Sequence, residues 1–225
     1  MRQIPGMKIL VCVSQAPDTT SRIAFTEGGK VFESSGVQYI VNPYDEWYAL
    51  VRALELKEAS GGTVTVINVG PASNDIIIRK ALAIGADDAI RVNAEPIDGM
   101  SVAKEIAEVA KNGGYDLVLA GKESSDYNGQ MVPGMVAAML GFNFVNGCVG
   151  MEVDGNNVTA TREIDGGSES LVTTLPLVVG GQKGIVEESD LRIPNMRGIM
   201  MARKKPLNVV ESTGSENATS SQSFE

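Results

Sequence analysis

Short β-branched runs alternate with windows of helical periodicity through the first 140 residues, and this alternation constrains the fold more than any other feature of the chain. It is the sequence sign of a mostly parallel sheet covered by helices on both faces. Residues 8–13, 63–69, 88–92 and 116–120 read as strands. Behind Asn42 as a cap and Pro43 at the first helical position, Trp47, Leu50, Val51 and Leu54 recur at helical spacing, which predicts a helix from about Asn42 to a stop near Gly61. Val102, Ile106, Val109 and Ala110 predict another that stops at Asn112-Gly113-Gly114, and Val132, Met135, Val136, Met139 and Leu140 a third that stops at Gly141.

Past Gly141 the pattern changes. Residues 151–153 and 158–163 flank Asp154-Gly155-Asn156-Asn157, a hairpin turn sequence that calls for positive backbone dihedrals. A further strand over 169–174 follows Gly166-Gly167, and from Pro176 regular periodicity fades into glycine-rich and then basic sequence, 197–205. Residues 212–225 are mostly Ser, Thr, Asn and Glu, a composition that forms no core. The expected organisation is one α/β domain over 1–207, followed by a mobile polar tail over 208–225.

Chemistry is narrowed more by what is missing than by what is present. The chain has no histidine, so the commonest general base and metal ligand are unavailable. Its two cysteines, Cys12 and Cys148, are far apart and form no metal knuckle or dithiol pair. A net charge of −9 argues against a nucleic-acid surface, which must neutralise phosphates. No stretch reaches the ~18 apolar residues of a membrane helix, and no transit peptide precedes Met7, so bacterial cytoplasm is the expected compartment.

In open parallel sheets, ligands bind beyond the carboxyl ends of the strands. Three loops qualify: Ser14-Gln15-Ala16-Pro17-Asp18, Gly70-Pro71, and Gly121-Lys122-Glu123-Ser124-Ser125-Asp126-Tyr127-Asn128-Gly129-Gln130. The third has glycine near both ends and runs into a helix near Met131, so its backbone N–H groups could cradle a phosphate; it also reads as an ordinary helix-capping loop. It is neither a P-loop nor the GxGxxG of a dinucleotide fold. Met196, Met200 and Met201 read equally as core filler or as an adaptable partner surface.

Taken in order, VNPYDE at 41–46, ALAIGADDAI at 81–90, DLVLAGKESSDYNGQ at 116–130, REIDGGSESL at 162–171, LPLVV at 175–179 and IMMARKKPL at 199–207 resemble the beta subunits of electron-transfer flavoproteins. The resemblance implies a Rossmann-like fold, of the adenine nucleotide alpha hydrolase type, with a hairpin region and an extended C-terminal arm. It implies a carrier of electrons rather than an enzyme. Bound AMP, or a second FAD in the bifurcating relatives, is implied, together with an alpha subunit that supplies most of the electron-transferring FAD site. Flavoprotein dehydrogenases and a quinone reductase are the implied electron donors and acceptor.

Carried over position by position, nucleotide contacts fall at Cys12, Asn42, Pro43, Tyr44, Asp45 and Val69, and along Gly121 to Val132 through Met131. Glu163 resembles a carboxylate that contacts the mobile flavin domain of the alpha subunit. The resemblance places a dehydrogenase-recognition loop over 180–194, with Lys183 where its anchoring leucine is expected and Ile185 and Leu191 the nearest apolar residues. A universal-stress-type nucleotide module shares the βα pattern without accounting for REIDGG. An adenylating enzyme on the same fold would carry a glycine-rich loop where this chain has Ser14-Gln15-Ala16-Pro17.

Overall fold

A computed structural model describes residues 6–125 and 128–214. Its elements, in chain order, are β1 (Met7–Cys12), β2 (Gln15–Pro17), β3 (Phe25–Thr26), β4 (Val31–Phe32), β5 (Tyr39–Val41), α1 (Glu46–Ser60), β6 (Gly62–Gly70), α2 (Asp75–Ile84), β7 (Asp88–Asn93), α3 (Gly99–Gly113), β8 (Leu117–Gly121), α4 (Val132–Leu140), β9 (Asn143–Asp154), β10 (Asn157–Ile164), β11 (Gly167–Thr174), β12 (Leu177–Gly181), α5 (Met196–Ala202) and β13 (Leu207–Glu211). Nine strands form one sheet in the order β11-β10-β9-β12-β8-β1-β6-β7-β13. From β9 to β13 every neighbouring pair is parallel, whereas β10 runs antiparallel to both β9 and β11.

Because successive side chains of a strand point to opposite faces, the parallel strands feed two cores. Ile9, Val11, Leu117, Leu119, Leu177 and Val179 pack with Leu50, Val51 and Leu54 of α1 and Ile77 and Ile78 of α2. Leu10, Ile67, Val118 and Val178 face the other way, against Ala103, Ile106 and Ala110 of α3 and Val136 of α4. Each fully buried Leu or Ile contributes about 1.5–3 kcal/mol relative to exposure. The chain passes from β1 to β6 and β7 on one side, then returns to β8 on the other side of β1. The carboxyl ends of β1 and β8 therefore bound a topological switch point, where such sheets leave a crevice.

The structure differs from the sequence expectation in several places; β9, for one, begins at Asn143, eight residues before the expected strand over 151–153. Helix α1 begins at Glu46 with Asp45 at its cap, not at Asn42. Asn42 is engaged elsewhere: its Nδ2 donates to the carbonyl of Glu123 at 3.2 Å. Helix α2 had no clear helical signal, because Ile76-Ile77-Ile78 is a β-branched run that favours strand. Immediately after Pro176 the chain forms a strand, β12, buried between β8 and β9, which went unread because five residues are too few to show a period; residues 182–195 then run without helix or strand apart from a short 3-10 turn. Nor does a polar tail begin at 208: β13 extends the sheet by parallel pairing with β7, with Leu207 and Val210 packed onto the cores. The rest of the expected tail, 215–225, lies outside the described residues. No helix among the described residues is long and apolar enough to cross a membrane.

Candidate functional site

At the switch point the end of β1, the start of α1 and the loop after β8 meet. Glu46, buried in the first turn of α1, accepts from the Ser14 backbone N–H at 2.6 Å through Oε2 and from the Ser14 hydroxyl at 2.7 Å through Oε1. Its neighbour Asp45 accepts from the Glu123 backbone N–H through Oδ2 at 3.0 Å. Burial raises the Asp45 carboxyl above the usual range, while hydrogen bonds from the Glu123 and Lys183 backbones partly offset that rise. Gly121 permits the close approach, because a Cβ there would stand 2.9 Å from Glu46 Cγ and 3.0 Å from Asp45 Cβ.

The loop is folded on itself: the Ser124 N–H donates to the Gly129 carbonyl at 3.0 Å and the Asn128 N–H to the Ser124 carbonyl at 2.8 Å. Gln130 Nε2 adds a bond to Glu123 Oε2 at 2.7 Å. A Cβ at Gly129 would meet nothing within 4 Å, so the backbone there faces open space. Met131 stands at the cap of α4 and makes no side-chain cap bond to the helix, whose first residue is Val132. Pro133 has no N–H, so the first turn of α4 offers amide donors at Val132 and Gly134, with no side-chain bond from the capping residue.

These elements enclose a cleft of about 280 Å³ lined by Asn42, Tyr44, Asp45, Lys122, Glu123, Ser125, Gln182 and Lys183. Asn42 is only 1 % exposed, and its Oδ1 has no hydrogen-bond partner among the described residues. A buried acceptor left unpaired costs about 1–3 kcal/mol, which a donor from a ligand or water recovers. A larger hollow of about 400 Å³ lies on the β9–β10 hairpin beside Glu152, Asp154 and Asn157. It is lined only by residues of the two strands flanking the hairpin turn and meets no helix start, so the switch-point cleft is the better candidate.

The structure brings most of the expected nucleotide residues together here. Asn42, Tyr44, Asp45, Lys122, Glu123 and Ser125 line the cleft; Pro43, Ser124, Asn128, Gly129 and Gln130 belong to the segments that frame it. Cys12 and Val69 are buried at the carboxyl ends of β1 and β6. Burial, then the Glu46 carboxylate, pushes the Cys12 thiol up, which leaves it an inert apolar contact. Asp126 and Tyr127 lie outside the described residues. Sequence reading missed Gln182 as a lining residue and Glu46 as the group that pins Ser14. The adjacent Gly180-Gly181 pair was the available signal for Gln182, and for Glu46 it was the acidic residue ending VNPYDE.

The expected docking residues separate. Glu163 is exposed near the end of β10 and accepts from Gln182 Nε2 at 2.6 Å. Lys183 is exposed and paired with Glu188 at 2.7 Å, a hydrogen bond that raises its pKa. Ile185, at 4 % exposure, belongs to the main core and does not present itself to a partner; Leu191 packs against the same core. Apolar exposure is found farther on instead, at Ile193, Met196 (76 %), Met200 and Met201, beside Arg197, Arg203 and Lys204. Among the described residues no group of three or more Cys, Asp or Glu stands close enough together to hold a metal.

The fold and the cleft define a doubly wound α/β domain with a polar ligand crevice at its switch point and an antiparallel hairpin on one flank. The family model "Electron transfer flavoprotein domain" matches residues 29–214. The chain is 35 % identical over 209 residues to the electron transfer flavoprotein subunit beta of Bacillus subtilis, covering 91 % of this chain and 79 % of that one. It is 36 % identical over 214 residues to that of Syntrophomonas wolfei (94 % and 82 % covered), and 34 % identical over 203 residues to that of Bradyrhizobium diazoefficiens (89 % and 80 %). The chain belongs to the electron transfer flavoprotein beta-subunit family, and is thus an electron-carrier subunit rather than a catalyst.

Proposed function

We propose that the switch-point cleft binds AMP as a structural ligand, and that the chain acts in a heterodimer whose alpha subunit holds most of the FAD site. The observation that carries this reading is Asn42, which lines the cleft and whose buried Oδ1 has no partner among the described residues, next to the glycine-bearing loop that contributes Lys122, Glu123 and Ser125. An adenine amino group or a ribose hydroxyl is the kind of donor that acceptor lacks. The backbone amides of Val132 and Gly134, on either side of Pro133 at the start of α4, are the kind of donors a phosphate takes. A cleft of about 280 Å³ suits a mononucleotide better than a second FAD.

FAD, when bound in the heterodimer, supplies the one-electron chemistry. The residues of this chain bind and orient. Glu163 offers an exposed carboxylate for a cation on the alpha subunit, setting orientation more than affinity. The methionine-rich, basic surface of α5 offers an adaptable contact to flavoprotein dehydrogenases, taking the place expected of Lys183, Ile185 and Leu191. Electrons then pass to a downstream quinone reductase, in the cytoplasm of a bacterium like those of the relatives above.

The test is co-expression with the alpha subunit and a count of nucleotides in the purified complex. One AMP and one FAD per heterodimer is the expected result; two FAD and no AMP would assign the cleft to a second flavin. The chain purified alone is expected to be colourless, and added AMP to raise its melting temperature by mass action.

A further inference from the structure

Three side chains from distant segments line up beside the mouth of the cleft. Lys122 follows β8, Gln182 follows β12, and Glu163 lies near the end of β10. The Lys122 Nζ donates to Gln182 Oε1 at 3.1 Å, and Gln182 Nε2 donates to Glu163 Oε2 at 2.6 Å. A cation therefore meets the amide oxygen and an anion meets the amide nitrogen. Reversing the amide would set its hydrogens against the ammonium and its carbonyl against the carboxylate, so charge fixes which way it points.

The backbone fixes where it stands. The Gln182 N–H donates to the Cys148 carbonyl at 3.0 Å, the Gln182 carbonyl accepts from the Ile185 N–H at 3.1 Å, and the Lys122 N–H donates to the Gly181 carbonyl at 2.8 Å. A bulge in β9 makes the room: the register passes from Asn146 opposite Gly180 to Cys148 opposite Gly181, skipping Gly147. Gly147 has φ 66, and a Cβ there would stand 3.6 Å from Gln182 Oε1 and 4.0 Å from Lys122 Cδ.

We propose that Gln182 is a positioning residue that couples the nucleotide cleft to the docking carboxylate, its single amide holding Lys122 and Glu163 in one hydrogen-bonded chain. The proposal rests on the reading of the cleft as a nucleotide site and of Glu163 as a docking group. One of the three Lys122 ammonium donors is spent on Gln182, which holds the side chain still and leaves two for a ligand. Linkage makes the effect reciprocal: if Glu163 steadies Lys122 through the amide, AMP in the cleft steadies Glu163 to the same degree.

AMP affinity of the full chain, stripped of nucleotide, is measured by calorimetric titration. Gln182→Leu keeps the bulk and removes both bonds, and Glu163→Ala removes the far end. Each is expected to weaken AMP binding about threefold, and the double variant no further, because both act through one chain. An unchanged affinity in Gln182→Leu, or losses that multiply in the double variant, would overturn the proposal.

If the parent chain takes no AMP, the nucleotide reading fails by itself, and denaturant unfolding decides the coupling. Lys122→Met and Glu163→Ala should then be non-additive in the unfolding constant by about twofold or more with Gln182 in place, and additive in the Gln182→Leu background. Additivity in both backgrounds overturns the coupling. Unaltered electron transfer in Glu163→Ala removes the docking role alone and leaves both cycles to be read as stated.

Discussion

On one side of β9 the sheet is parallel and, up to its edge strand β13, buried on both faces; on the other it is an antiparallel flank that alternates between core and solvent. In the first region Leu117, Val118 and Leu119 are all fully buried, as are Leu177, Val178 and Val179. In the second, Val158 and Ala160 point inward between exposed Asn157 and Thr159, and Val172 on β11 is 78 % exposed. The hairpin is fastened to itself by the β10–β11 ladder and a half-exposed Arg162–Glu169 pair facing each other in register. Such pairs contribute about 0–1 kcal/mol. The comparison teaches a division of labour. The parallel region holds the loops that must keep a fixed cleft, and the flank offers a surface whose residues can change without cost to the core.

Truncating each region is the strongest way to break that comparison. Leu119→Ala should cost about 2–5 kcal/mol of unfolding free energy, whereas Val172→Ala should stay within about 0.5 kcal/mol. Similar losses in denaturant titrations would mean that the flank shares the stability of the parallel core.

Two glycines separate cleft shape from cleft access. Gly121→Ala drives a Cβ to 2.9 Å from Glu46 Cγ, and such overpacking costs about 1–3 kcal/mol as well as AMP affinity. Gly129→Val meets no neighbour, so its stability should hold within about 0.5 kcal/mol. Its bound AMP should nonetheless fall about tenfold, because a β-branched side chain fills space a ligand needs. Asn156→Ala, in the hairpin turn, is the control that keeps its nucleotide. Equal occupancy in the purified Gly129→Val and Asn156→Ala variants would refute the assignment of the cleft.

Glu163→Ala sharpens the other half of the comparison. Folding should be unchanged and the loss of AMP affinity confined to about threefold, while electron transfer in the heterodimer slows about threefold to tenfold at low salt and converges with the parent at high salt. Transfer kinetics that match the parent across ionic strength would remove the docking role.

The smallest expected effect belongs to Asp45. Because its folded pKa is raised by burial, the folded chain binds this proton more tightly than the unfolded one. Its contribution to stability is greatest below the unfolded value of ~3.9 and is lost as pH rises through the raised folded value. Asp45→Asn retains an acceptor for the Glu123 N–H and removes the titration, so the parent should lose stability relative to this variant as pH rises across that window. A difference independent of pH in nucleotide-free protein would contradict it.

Much of the cleft was legible because its segments carry their own local signals. Asn42-Pro43 marks a turn into a helix, and the loop after β8 is polar with glycine near both ends. Its docking side was less legible. Ile185 read as an available apolar anchor, but the sequence does not tell a core isoleucine from a surface one where no period runs through it. The methionines at 196, 200 and 201 were left between core and surface for the same reason, and their exposure was decided by how α5 packs on α2 through one face only.

The sequence by itself determined the strands β1, β6, β7 and β8, the glycine stops of α1, α3 and α4, and the turn between β9 and β10, because each is specified by residues within a few positions of one another. It also determined the family, through motifs spread from Val41 to Leu207. Only the tertiary structure decided that β12 runs between β8 and β9, that β13 closes the far edge, and that Lys122 meets Gln182 across 60 residues of chain while Asp45 meets Glu123 across 78. Strand order and side-chain meetings of that range depend on which buried surfaces fit together in three dimensions, and no local period records that fit.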